Sequence, residues 1–180
     1  ILAEMGGRGM ALDRPLLASW VSETEKWLQQ AETSLKQQLG VDNINSDVQV
    51  AKALYAPPWN AKPLYKNLTG YSVDRLSLLW ARHQATGTNQ MDLIRLLTDL
   101  LEYRTKEKLQ STYYLPWLSN SDHARVYSEY SLGVTATGRL SSKRFNLQNV
   151  PASVRTAIIP SPGYDVIIQG DYAMLELCIA

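Results

Sequence analysis

The 180-residue chain has one cysteine, one phenylalanine and two histidines. A lone Cys178 excludes an internal disulfide and a thiolate zinc cluster, and it suits a reducing, cytoplasmic compartment. In its apolar setting Cys178 reads as a small core residue. No uninterrupted apolar stretch reaches the ~20 residues a membrane-spanning helix needs, and the start has no signal-peptide layout, so no membrane partner is expected. Internal repeats and low-complexity segments are lacking as well. Neither sign of charge dominates, because 18 basic residues face 17 acidic ones. What remains is a 45% hydrophobic chain with material for one or two cores.

The near-zero net charge hides a segregation. Residues 1–100 carry ten basic and ten acidic side chains, residues 101–155 carry eight and four, and residues 156–180 carry none and three. The middle segment is where a polyanion would be gripped, and the acidic end is where cations would sit. A solvated charged face gives the same pattern, so both readings stand at this point.

The opening Ile1-Leu-Ala-Glu-Met-Gly-Gly-Arg-Gly-Met10 reads as the end of a helix entering a glycine-rich turn. Asp13 then caps a helix that tolerates Pro15 in its first turn. Leu16, Leu17, Trp20, Val21, Trp27, Leu28, Ala31, Leu35 and Leu39 keep near-helical spacing up to Gly40, and the two tryptophans read as core. Ser46 caps a short helix that ends before Pro57-Pro58, and residues 56–71 read as a loop. A helix over 73–84, a turn at Gly87 and a second long helix from Met91 to about Tyr114 follow. The two long helices are expected to lie antiparallel. After Leu115-Pro116 the pattern changes, and Arg125–Ser131 alternates as a strand does. The domain boundary is placed there, giving residues 1–115 and 116–180.

The last fifteen residues open with Val166-Ile-Ile-Gln-Gly, which reads as a buried strand, and continue into helix-favouring Ala, Met, Leu and Glu. Asp171 falls at that junction, a rigid and solvent-facing position that suits a ligand for a hard cation such as Mg²⁺. Glu176 is the only charge in residues 173–180 and must find a partner or a cavity. A polar turn acid and a helix glutamate that reaches solvent would read the same way. The stretch Thr135–Asn149 packs cationic, hydroxyl and amide side chains with no acid among them, offering donors for phosphates and base edges. A polar loop that caps its own backbone is the alternative.

Three motifs in register, Thr137-Gly-Arg-Leu-Ser-Ser142, Asn146-Leu-Gln-Asn149 and Asp171-Tyr-x-x-Leu-Glu-Leu177, resemble the template-primer and first metal-binding motifs of family A DNA polymerases, the bacterial and phage group. Upstream, Asn43-Ile-Asn-Ser46 and Glu102-Tyr-Arg104 with Lys108-Leu-Gln-Ser-Thr-Tyr113 resemble that family's thumb. The resemblance covers essentially the whole chain. It implies an α+β fold in which residues 1–115 form a helical thumb with a long antiparallel helix pair, and residues 116–180 begin an antiparallel-sheet palm.

The resemblance also implies roles. Asp171 would bind two Mg²⁺ ions with the backbone carbonyl of Tyr172, the two metals serving nucleotidyl transfer to a primer 3′-hydroxyl. Glu176 matches the family's steric gate beside the incoming sugar, and Tyr172 and Met174 would lie near the nucleotide. Arg139 matches the arginine that contacts minor-groove acceptors common to every Watson–Crick pair. Ser141, Ser142, Asn146, Gln148 and Asn149 would lie along the duplex, with Arg104 and Lys108 at thumb positions near DNA. Arg155 aligns with a basic residue ahead of the metal-binding strand, though with a shorter spacing from Asn149 than in the bacterial enzymes. The implied partners are primer-template DNA and a deoxynucleoside triphosphate, acting on a monomer in a bacterial cell or phage-infected host.

The chain departs from the family where Ala173-Met174 replaces Ser-Gln, Cys178 replaces Arg and Phe145 replaces Pro. Ala173 is a mild change, but Met174 removes an amide near the nucleotide and Cys178 removes a cation. A polymerase segment is therefore weighed against a catalytically impaired relative that binds duplex DNA and against a plain helical interaction module. The triphosphate-binding helix and second carboxylate of the family are not in the sequence, so the chain is expected to be an incomplete part of a longer polymerase, inactive alone.

Overall fold

The computed structural model describes residues 1–68, 70–120, 124–135 and 138–170. The readings on Asp171, Tyr172, Met174, Glu176 and Cys178 lie outside the described residues. The chain forms two compact units, Ser19–Leu115 and, separately, Ile1–Ala18 with the residues from Pro116 onward. The expected division put residues 1–115 in one domain, whereas the first eighteen residues join the later unit. The reason is pairing: β1 (Met10–Leu12) is the middle strand of its sheet.

Among the helices, local signals and outcome agree closely. After α1 (Leu2–Arg8), Asp13 Oδ1 accepts from the Leu16 N–H at 2.9 Å, α2 spans Arg14–Leu39, and Gly40 ends it at φ +65°. Ser46 Oγ accepts from the Gln49 N–H at the head of α3 (Asp47–Leu54). The loop expected over 56–71 contains a small hairpin, β2 (Lys66–Asn67) against β3 (Gly70–Tyr71). Asp74 then caps α4 (Arg75–Gly87), which a short connection joins to α5 (Met91–Leu109).

The second long helix runs further than expected. A π-helical turn over Gln110–Tyr114 leads into α6 (Leu115–Asn120), passing through Pro116. The Leu115 N–H donates to the Gln110 carbonyl, so the turn is widened just before the residue that has no N–H to give. Trp20 stacks on Tyr114 with ring centroids 5.2 Å apart, Gln110 Nε2 donates to the Val21 carbonyl at 3.3 Å, and the Lys106 ammonium lies 4.5 Å from the Trp27 ring centroid. These pairings descend α5 as they ascend α2, so the two helices are antiparallel. The tryptophans read as core are half-buried. The core lies between α2, α3, α4 and α5, where Leu35, Val50, Leu54, Leu78, Leu96, Leu97 and Leu100 are each at most 1% exposed. Each such side chain contributes about 1.5–3 kcal/mol on burial.

In the other unit, β1 pairs antiparallel with β4 (Arg125–Val126) and β7 (Ile158–Ile159). Gly9, at φ +59°, admits no side chain, because a Cβ would stand 2.5 Å from the Val126 carbonyl oxygen. Arg125 gathers this corner by donating to the Arg8 and Gly9 carbonyls at 2.8 and 3.0 Å and to Ser161 Oγ at 3.0 Å. Trp117, Leu17, Val126, Val154 and Ala157 are buried.

Two strand expectations need correction. Arg125–Ser131 is not one strand: β4 joins the three-stranded sheet, and β5 (Glu129–Ser131) pairs with β6 (Ser141–Lys143). Buried Ser128, between them, donates to the Lys143 carbonyl at 3.3 Å, so the chain changes partner there. Nor do the described residues of the Val166 run form a buried strand. Val166, Ile167 and Ile168 are 69%, 55% and 90% exposed with no strand assigned. A β-branched run forms a strand only where neighbouring backbone takes its N–H and C=O groups, and no described strand lies against it.

Candidate functional site

The polar stretch singled out in the sequence folds around the β5–β6 hairpin. Its register sets Glu129 opposite Lys143, Tyr130 opposite Ser142 and Ser131 opposite Ser141. Ser142 is buried and donates through Oγ to Asn146 Oδ1 at 2.8 Å, while Ser141 Oγ donates to the Ser131 carbonyl at 3.4 Å. Asn146 itself is exposed at the head of a 3₁₀ turn over Leu147–Asn149. Because its carbonyl oxygen is taken, its amide N–H groups remain as donors. Exposed Gln148 gives one N–H to the Leu140 carbonyl at 3.1 Å, which leaves the amide oxygen as an acceptor. Arg139 and Asn149 are exposed, and the Arg139 carbonyl is held by Thr135 Oγ1 at 2.8 Å.

Six of the expected residues thus share one continuous segment. Its hydroxyls are spent on internal bonds, and a cation and amides reach its surface. Arg155 ends α7 (Ala152–Arg155) a few residues later and donates through Nε to the Val150 carbonyl at 3.0 Å. Such a surface can pair with phosphate oxygens and with base-edge donors and acceptors.

Arg104 and Lys108 belong to the other unit. Lys108 is exposed near the end of α5. Arg104 is committed internally, with Nη1 donating to the Val73 carbonyl at 2.5 Å and Nη2 to Asp47 Oδ1 at 2.8 Å. It therefore ties α5 to the start of α3 and to the strand-to-helix link before α4. Beside that link, Asp74 accepts from the Tyr65 hydroxyl and, at 2.8 Å, from the Ser77 N–H, and these two bonds hold its carboxyl below the usual range. Burial first, and then the Asp74 charge, push the Tyr55 hydroxyl up to about 12, and it donates to the Ser72 carbonyl at 2.5 Å.

The sequence reading passed over two cations on the hairpin. Lys143 is exposed at the end of β6, and Arg144, next to it at φ +69°, places Nη1 3.2 Å from Glu129 Oε1. The strand register, which the sequence does not display, brings those three charges together. Among the described residues no group of three or more His, Cys, Asp or Glu side chains could hold a metal ion, and no helix is long and apolar enough to cross a membrane.

This α+β architecture coincides with a known class. The chain belongs to DNA polymerase family A, whose family model matches residues 14–180. Among individual relatives, DNA polymerase I of Synechocystis is 32% identical over 99% of this chain and 18% of its own length. The thermostable DNA polymerase I of Thermus filiformis is 31% identical over 98% of this chain and 21% of its own. The solved structure of the POL domain of Pol1 from M. smegmatis in complex with DNA primer-template and dNTP superposes with a TM-score of 0.78. That match has 27% identity and covers 91% of this chain and 29% of that one. The chain spans about a fifth of the length of these two curated relatives.

Proposed function

We propose that this chain is the thumb and the beginning of the palm of a longer DNA-templated DNA polymerase, a monomer acting on primer-template DNA and deoxynucleoside triphosphates in the cytoplasm. Residues 19–115 correspond to the thumb, and the unit built from residues 1–18 and 116 onward corresponds to the palm. The observation that carries the reading is the hairpin segment from Arg139 to Asn149, which presents three cations and three amides on a frame braced by its own serines. Arg139 and the Gln148 and Asn146 amide N–H groups are suited to the minor-groove acceptors of a duplex, which are common to all pairs and so test geometry without reading sequence.

Asp171 and the Tyr172 carbonyl are hard oxygen donors, the kind Mg²⁺ prefers, and they would hold the two ions together with a second carboxylate from elsewhere in the longer protein. Bound there, the metals supply charge stabilisation for phosphoryl transfer. Glu176 would exclude a 2′-hydroxyl, with Met174 beside the nucleotide. Ser141 and Ser142 support the duplex contacts indirectly, by bracing the segment, while Asn149 and Arg155 lie along it, and Lys108 is a DNA contact of the thumb. Arg104 serves this reading as an internal tie.

A polymerase carrying this chain is expected to extend a primed template with Mg²⁺ and to lose that activity in Asp171→Asn. Retained extension in that variant refutes the assignment. The Met174 and Cys178 departures favour a second reading, a relative that binds duplex DNA without chemistry. Extension by the unmutated polymerase eliminates it.

A further inference from the structure

The hairpin holds a charge arrangement that the duplex-contact residues do not use. Strand register sets Glu129 opposite Lys143, and Arg144 is ion-paired to the same carboxylate at 3.2 Å. One acid therefore answers two cations. Both partners of the ion pair are open to water, with side chains 71% exposed for Arg144 and 61% for Glu129. An ion pair so exposed is weak and readily exchanged for another anion.

The backbone adds to this. Arg144 occupies a left-handed conformation at φ +69°, which a residue with a Cβ adopts only when its surroundings hold it there. The conformation directly follows the last paired residue of β6, so the side chains of Lys143 and Arg144 leave the hairpin from consecutive positions at a strand end. The guanidinium has a planar fork of donors that matches phosphate, and the ammonium is a compact point charge. With Arg139 also exposed, three cations stand within six residues of a segment whose described residues include no acid.

We infer that Lys143 and Arg144 form a phosphate clamp on duplex DNA, and that Glu129 is its built-in competitor, occupying Arg144 until a backbone phosphate displaces it. The clamp rests on the reading of this chain as a duplex-binding polymerase segment. It assigns to the hairpin a second task, gripping the backbone, beside the groove contacts proposed for Arg139, Asn146 and Gln148. The competing carboxylate sharpens the response to charge density: a duplex, which carries about one negative charge per 1.7 Å, displaces it far better than an isolated anion does.

The test measures binding of the chain to a fluorescent primed duplex by anisotropy across a salt series. Each phosphate contact removed lowers the slope of log K against log salt by about one. Lys143→Gln and Arg144→Asn are therefore each expected to flatten it by about one, asparagine being tolerant of the left-handed backbone. Arg8→Gln removes the same charge from an exposed site elsewhere and is expected to leave the slope unchanged. Glu129→Gln is expected to tighten binding about two- to fivefold, the worth of the exposed pair it dissolves. A misfolded variant could not mimic that gain.

Slopes unchanged in both cation variants, an equal loss in Arg8→Gln, or weaker binding by Glu129→Gln each overturn the clamp. If the unmutated chain binds with strong salt dependence and Arg139→Ala weakens it, those results leave the proposed function standing. No DNA affinity in the unmutated chain overturns both.

Discussion

Replacing Arg104 with methionine separates a structural arginine from a DNA-facing one. The guanidinium donates to the carbonyl of Val73, itself 1% exposed, and to Asp47, whose side chain is 74% exposed. Methionine keeps most of the apolar stem and removes both bonds. The exposed half of the interaction is worth about 0–1 kcal/mol. The charge-assisted bond to the Val73 carbonyl is worth about 1.5–3 kcal/mol, because removing the donor leaves a screened acceptor unpaired. The loss should then be about 1.5–4 kcal/mol, or about 3–16 °C in Tm for a chain of this size. Asp47→Asn removes the ion pair while leaving the Val73 bond in place, and should cost less than about 1 kcal/mol. Thermal unfolding followed by circular dichroism measures both, and anisotropy with primed duplex well below the melting range measures whether DNA affinity survives. An unchanged Tm in Arg104→Met together with lost DNA affinity would refute the internal tie and return Arg104 to the duplex surface.

Two further outcomes follow from the same unit. Asp74→Ala should cost about 1 kcal/mol as a lost N-cap. The folded carboxyl titrates below its unfolded value, so the stabilisation is present above about pH 4 and disappears as pH falls through the folded value. The variant should therefore show a shallower loss of Tm on acidification below pH 4 than the parent; identical acid profiles would count against the cap. Gln110 buries an amide oxygen with no partner, against one 3.3 Å bond from its nitrogen. Gln110→Met should be neutral or stabilising by about 1 kcal/mol, since it removes an unsatisfied buried acceptor. A drop in unfolding free energy of more than about 2 kcal/mol, measured by denaturant titration, would show that the bond to Val21 outweighs the unpaired oxygen.

The sequence by itself determined whatever is written within a few residues. The span of α2 follows from Asp13, Pro15, an apolar period and Gly40, and α3 starts where Ser46 can cap it. The order of polar motifs between Arg139 and Asn149 was also readable, because side-chain chemistry does not depend on where the backbone goes. Only the tertiary structure decided which distant strands pair. It moved Met10–Leu12 to the centre of a sheet with β4 and β7, split Arg125–Ser131 between two sheets at Ser128, and left Val166–Ile168 exposed despite a composition that favours strands. It also turned Arg104 inward and gathered Glu129, Lys143 and Arg144 at one hairpin end. Caps and helical periodicity are satisfied by neighbours along the chain, whereas a strand, a half-buried guanidinium or a shared carboxylate needs a partner that the chain must first fold to supply.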